Sequence, residues 1–256
     1  MIEYPEIDRY SSLDSPMHRF DPRAKIIAFS VLIFALVLLY DLKLAFIGLL
    51  GSILFLIASK LPFRFVFQHI TWVSLFIVPF LVIMPLTVKG EEFFSFYAIR
   101  MTREGLEYGM LVALRALSAV ILVLPMIATT RFDLTIKALD RLKVPTMLVQ
   151  MLMFSYRYIF VFAVEFQRTW RAMAARGFTL KMNLYALRTV GKALGTLFVR
   201  SYERGDRVYN ALRSRGYTGN PRTLVEFRMH ARDYILAALI IGFAGSLHII
   251  SFVRVI

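Results

Sequence analysis

Apolar residues arrive in long blocks separated by short polar interruptions, and the block lengths predict helices. From Ile26 to Leu39 the chain is apolar apart from Ser30; Tyr40-Asp41-Leu42-Lys43 interrupts it, and Leu44 to Ala58 resumes. One continuous helix would exceed the roughly 30 Å hydrocarbon core of a bilayer and strand Asp41 and Lys43 at its middle, so two helices with a tight turn are expected. Lys60-Leu61-Pro62-Phe63-Arg64 marks a further turn. Spans then follow over about Phe65–Leu86, Leu106–Ala128 and Tyr234–Val253. Pro79 and Pro85 stand where they would kink or end the first of these. Arg115, inside the second, is costly in hydrocarbon and is expected to face protein or water, or to snorkel. Residues 1–23, with Pro5, Pro16 and Pro22, read as a surface segment with little regular structure, and 87–104 as an external stretch of mixed charge,.

Past Thr129 the pattern changes. Arg131 to Lys143 reads as a short amphipathic helix closed by Val144-Pro145. Residues 146–176 and 184–215 form two long helical patterns that start apolar and become dense in arginine. Gly177 and Gly216 stand at their ends, where a left-handed cap residue is expected.

Composition supports a membrane location: 58% of residues are hydrophobic, only 19% are charged, and 23 are Phe, whereas a soluble domain sits nearer half apolar and a quarter charged. The formal charge of +14 is concentrated: residues 130–232 hold 19 of the 31 Lys and Arg but only 6 of the 17 acids. Flanked by apolar spans, that charge fits a cytoplasmic segment under the positive-inside rule better than a nucleic-acid binder. The expected architecture is therefore all-α and polytopic, with about five transmembrane helices plus long cytoplasmic helices. Its parts are 1–129 (N-terminal segment and helices one to four), the basic region 130–232, and the last span in 233–256. The N-terminus is placed inside, with the basic loop 60–64. Five conventional spans satisfy every loop, and residues 146–166 are apolar enough to enter the bilayer as well. The acidic opening is not that of a signal peptide, so insertion is expected to begin at the first hydrophobic helix.

The most informative feature is an internal match at an offset of 39 residues. Arg168, Ala172, Arg176, Gly177, Phe178 and Thr179 align with Arg207, Ala211, Arg215, Gly216, Tyr217 and Thr218. In each copy Arg, Ala and Arg lie at i, i+4 and i+8 on one helical face. Basic residues are ordinary near a helix C-terminus, which accounts for the charge but not for the recurring face, glycine and aromatic-threonine pair. The docking reading is specific: guanidinium forks pair bidentately with carboxylates, and a small alanine lets a groove close around the helix.

Ala175-Arg176-Gly177 and Ser214-Arg215-Gly216, on basic helices about forty residues apart, resemble the two Ala-Arg-Gly motifs of the T component of energy-coupling factor transporters. A second likeness lies near the N-terminus, where Ser15-Pro16-Met17-His18-Arg19-Phe20-Asp21-Pro22-Arg23-Ala24-Lys25 is similar to the CbiQ cobalt branch. So are Tyr156-Arg157-Tyr158 leading to Glu165 and Tyr202-Glu203-Arg204 leading to Arg215-Gly216-Tyr217. Ser214 departs from the family's alanine, one small residue for another. The resemblance implies a multi-pass subunit of the cell membrane, with its coupling helices in the cytoplasm. Those helices would insert Ala175, Arg176, Gly177, Ser214, Arg215 and Gly216 into a pair of ABC-type ATPases, and the repeat itself adds Arg168 and Arg207, on the same faces, to that contact. A separate substrate-binding membrane subunit, CbiM-like for cobalt or nickel, would be the other partner. ATP would be bound by the partner ATPases, leaving this chain without a cofactor.

Other constellations say less. His18, His69, His230 and His248 share no metal-ligand spacing, and there is no cysteine,. Gly191-x-x-x-Gly195 and the face of Ala238, Gly242 and Gly245 permit close helix contact, either within the chain or with the substrate-binding subunit. Arg157 reads as an interfacial anchor or a helix-packing ion pair, with Glu165 too far along for an i+4 partner. Phosphate-binding loops and hydrolase motifs are not found, so no enzyme is expected. Lipid, rather than nucleic acid, is the expected surroundings. Two further readings stay open: a self-contained ABC permease subunit, or a coupling subunit of the vitamin type.

Overall fold

The structure is a computed structural model, and it describes residues 8, 10–88, 90, 92–96, 99–217, 219, 227 and 229–255. Pro5 and Thr218 lie outside the described residues. Eight helices occur among the described residues: α1 (Pro22–Val37), α2 (Leu42–Ala58), α3 (Phe63–Thr87), α4 (Arg103–Ala128), α5 (Phe132–Arg141), α6 (Thr146–Ala175), α7 (Leu184–Ser214) and α8 (Ala231–Val255). The mixed-charge stretch before α4 is not wholly irregular. It holds an antiparallel hairpin of β1 (Glu92–Phe96) and β2 (Ile99–Thr102). The last residue of β2 turns the chain into α4, because Thr102 Oγ1 accepts from Gly105 N and donates 2.8 Å to the Val88 carbonyl beyond α3.

The chain divides into two compact units, with the division inside α5: one holds Ile7–Thr135 and Glu226–Ile256, the other Ile136–Val225. In the first, α1 packs against α4 and α8, while α2 and α3 pack against α4. Its core is the inner face of α1 (Ala24, Ala28, Phe29, Leu32, Leu36) closed by Leu122 of α4 and by Ile240, Ala244 and Leu247 of α8. Helix α1 begins four residues before its apolar run. Asp21 accepts from Arg23 N and Pro22 occupies the first turn, the arrangement that satisfies one orphan N–H and supplies no new one.

Among the described residues four helices are long and apolar enough to cross a membrane: Phe63–Thr87, Arg103–Ala128, Thr146–Ala175 and Ala231–Val253. The apolar α2 is shorter, and α1, with 16 residues, is only about 24 Å long. The first half of α6 therefore joins the candidate spans, its Met147, Leu148 and Met151 being exposed. Helix α3 runs through both of its prolines and ends two residues beyond Pro85. Arg115 is half-buried in α4, its guanidinium 5.2 Å from the Tyr40 ring centre, with Nε and Nη2 making no hydrogen bond among the described residues.

Close helix approach is made by glycines other than those named from the sequence. A Cβ on Gly48 would overlap Leu36 Cδ2, and one on Gly51 would lie 2.5 Å from Phe243 Cζ. At Gly105 the obstacle is backbone, with Met84 O and Pro85 Cα each 2.6 Å away. Gly191, Gly195, Gly242 and Gly245 have nothing among the described residues within 4 Å of such an atom, so these glycines make no close helix contact there. Gly105→Ala should accordingly destabilise the purified protein by about 1–3 kcal/mol, because α3 cannot yield its main chain. Gly242→Ala should leave it equal or slightly more stable through helix propensity. Thermal unfolding of both variants in the same detergent checks the contrast.

Candidate functional site

The two arginine helices end in the same way. In α6 the C-cap is Arg176 (φ −91°, ψ 14°) and in α7 it is Arg215 (φ −92°, ψ 10°). Gly177 and Gly216 follow at φ +81° and +74°, where a side chain would strain the backbone. Gly177 N donates to Ala174 O and Phe178 N to Met173 O, at 3.0 and 3.1 Å; Gly216 N donates to Arg213 O and Tyr217 N to Leu212 O, at 2.9 and 3.0 Å. These are two Schellman motifs, which end a helix by returning two N–H groups to its last free carbonyls and commonly add an apolar contact from the residue after the glycine. In α6 Phe178 makes that contact, packing edge-on against Trp170 with ring centres 5.9 Å apart. Tyr217 lines a cavity of about 720 Å³ between α6 and α7, with Phe154, Tyr158, Phe162, Val208 and Leu212.

What the caps do not use is left in solvent. Arg168, Ala172, Ala175 and Arg176 on α6, and Arg207, Ala211, Ser214 and Arg215 on α7, are all exposed. Ser214 Oγ donates back to Asn210 O at 2.9 Å, so it stays small and turned onto its own helix. Of these cations only Arg207 has an ion-pair partner among the described residues, Glu203 one turn earlier at 3.9 Å. A surface pair of that length holds a side chain loosely.

The two helices are also tied to each other. Glu165 of α6 accepts from Arg200 Nη1 of α7 in a short ion pair, and a small cavity beside it is lined by Arg204 and Arg207. The helical spacing within α6 gives no partner for Glu165, because its partner is 35 residues away on another helix. Arg157 is exposed, with no part in this pair.

The N-terminal signature forms a separate cluster within the first unit. Arg23 makes a bidentate pair with Asp21 at 3.1 Å and lies 5.2 Å from the Phe227 ring. Lys25 is 1% exposed; its Nζ donates to Thr129 Oγ1 at 3.0 Å, Thr130 Oγ1 at 2.5 Å and Thr129 O at 3.4 Å. His18 Nε2 lies 2.8 Å from Tyr10 O and Nδ1 2.7 Å from Ser15 Oγ. A carbonyl only accepts, so Nε2 carries the proton and Nδ1 accepts from the serine. This is a neutral imidazole with both nitrogens used, and no group of three metal-ligating side chains occurs among the described residues.

With this geometry in hand, comparison with known proteins decides the family. The model of the CbiQ family, cobalt transport protein, matches residues 14–225, from the N-terminal signature through both arginine helices. The chain belongs to this family, the T components of energy-coupling factor transporters. Among its relatives is the energy-coupling factor transporter transmembrane protein EcfT of Heliobacterium modesticaldum, 26% identical over 257 residues covering 94% of this chain and 96% of the relative. The EcfT of Exiguobacterium sibiricum is 32% identical over 242 residues, 89% of this chain and 92% of the relative. That of Bacillus subtilis is 27% identical over 234 residues, 86% and 87% of the two chains. The apolar helices and the family together make this a multi-pass membrane protein of transport, in a family that is not one of enzymes.

Two outcomes follow from the geometry. Replacing Gly177 by Ala places a Cβ in left-handed backbone at a cost of about 1–2 kcal/mol. The last turn of α6 should then exchange its amide hydrogens on the order of 10-fold faster, with α7 unchanged, as read by hydrogen-exchange mass spectrometry. For His18, burial lowers the imidazole pKa and the charge of Lys25 adds to it, opposed by the Tyr10 carbonyl and by Asp14. A depressed pKa means that the unfolded chain binds the proton more readily than the folded one. The contribution of His18 is therefore present above the ordinary imidazole value of about 6.5 and lost as pH falls below it through the folded value. Limited proteolysis near residues 10–20 should accelerate on acidification, and His18→Asn should flatten that dependence.

Proposed function

We propose that this chain is the coupling subunit of an importer, carrying the movement of two ABC-type ATPases to a substrate-binding membrane subunit. The observation that carries the reading is the pair of exposed C-cap arginines, Arg176 and Arg215, presented with matching backbone on two helix ends. A protein working alone has little use for two equal cationic tips, whereas a dimer of related ATPases offers two similar acidic grooves. Arg168 and Arg207, two turns back on the same faces, extend each contact. Ala175 and Ser214 keep the approach open, and Gly177 and Gly216 end the helices so that the arginines stand at the tips. Bidentate guanidinium–carboxylate pairing supplies both the attraction and the fixed orientation that transmission of movement needs.

In this reading the N-terminus and the ends of α6 and α7 face the cytoplasm, in keeping with the basic surplus of 130–232. ATP is bound by the partners and this chain carries no cofactor. The open faces of Gly191 and Gly195 on α7, and of Ala238, Gly242 and Gly245 on α8, are available to the substrate-binding subunit. That subunit is CbiM-like and its cargo cobalt or nickel, supported by the description of the matched family and by the signature from Ser15 to Lys25.

The decisive variant is Arg176→Glu combined with Arg215→Glu. Uptake of radiolabelled cobalt or nickel should fall to background and the ATPases should no longer co-purify, while the amount of protein in the membrane stays the same. Undiminished uptake in the double variant overturns the proposal.

A further inference from the structure

The ends of three helices in the first unit meet around a second basic feature, apart from the arginine tips. Arg19 stands before the cap of α1, Lys60 follows the C-cap of α2, and Arg232 lies in the first turn of α8. All three line one cavity of about 510 Å³, within the roughly 300–1,000 Å³ range of small-ligand sites. Its other walls include apolar Pro16, Ile235 and Leu236. One acid, Asp14, also lines it and is already engaged by Arg19 in a bidentate pair at 2.8 and 2.5 Å. Lys60 and Arg232 make no ion pair among the described residues. The cavity therefore keeps a surplus of two positive charges beside apolar surface, at the end of membrane helices.

We infer that this cavity binds the phosphate headgroup of an anionic phospholipid, with Lys60 and Arg232 as the phosphate-binding cations. The chemistry on its two sides differs in the way such a ligand requires. The cations meet the phosphate, and Ile235, which is 66% exposed, leads from the cavity onto the outer face of α8, where an acyl chain continues into the bilayer. Basic pockets between membrane helices are a recognised setting for anionic headgroups. The local backbone fits the role: Lys60 adopts φ +54°, a left-handed turn normally given to glycine. A glycine would close that turn at less conformational cost, and it would carry no charge.

That backbone supplies a well-behaved test, because Lys60→Gly deletes the cation while favouring the turn. The full-length protein, purified in mild detergent, is titrated with phosphatidylglycerol and with phosphatidylcholine of identical acyl chains, and bound lipid is counted by native mass spectrometry. Phosphatidylglycerol should be retained in clear preference to phosphatidylcholine. Lys60→Gly with Arg232→Gln should weaken that retention on the order of 20-fold, from about fivefold per cation, and the charge-keeping pair Lys60→Arg with Arg232→Lys should preserve it. Thermal unfolding confirms that the variants are folded. Equal binding of the two lipids overturns the inference, as does unchanged phosphatidylglycerol binding in the uncharged variant. Displacement by millimolar inorganic phosphate would assign the site to free phosphate instead. Loss of a co-purifying protein with lipid retention intact would assign it to an acidic protein segment.

Discussion

A single buried amine ties the start of α1 to the end of α4. Lys25 lies on the helix that forms the centre of the core, and it is buried where its hydrogen bonds go to hydroxyl and carbonyl oxygens rather than to a carboxylate. A buried amine left without acceptors is costly, so the acceptors at the end of α4 stabilise the start of α1. Thr129 does this with hydroxyl and carbonyl together, and its own hydroxyl donates at 2.5 Å to Pro125 O, a carbonyl near the end of α4. That contact holds α1 beside the end of α4, while α8 packs on α1 and α2 packs on α4.

The repeat separates what helix termination uses from what it leaves exposed. Its glycine is accounted for by helix termination, since a left-handed position needs it, and in α6 the hydrophobic contact of the cap uses the aromatic as well. The exposed arginines and the small residues between them take no part in capping, and it is on these that the coupling proposal rests.

Much of the fold was legible because apolar block length and polar punctuation are local properties. Helices α2 to α8 begin and end within about three residues of the expected limits, little more than the ordinary fraying of helix ends. Helix α1 starts earlier than its apolar run because Asp21 and Pro22 set its beginning, a capping signal that hydropathy alone passes over. Contacts between distant segments were not legible. The partner of Glu165, the acceptors of Lys25 and the glycines that seat Leu36 and Phe243 depend on which helices meet, and helix period carries no such information. For the same reason the Gly-x-x-x-Gly spacing does not discriminate: it occurs at Gly191 and Gly195 of α7, which are open, and at Gly105 and Gly109 of α4, which lie against α3. The exposed arginine tips were legible as residues, since their shared face needs only the 3.6-residue repeat.

The Glu165–Arg200 pair has a mechanical corollary. Arg176 lies eleven residues beyond Glu165 and Arg215 fifteen beyond Arg200, distances of about 16 Å and about 22 Å along the helices. If the ion pair serves as a fulcrum, the two arms are unequal. The tip of α7 thus stands about a third farther from the pair than that of α6, and the two ends are not geometrically equivalent about it.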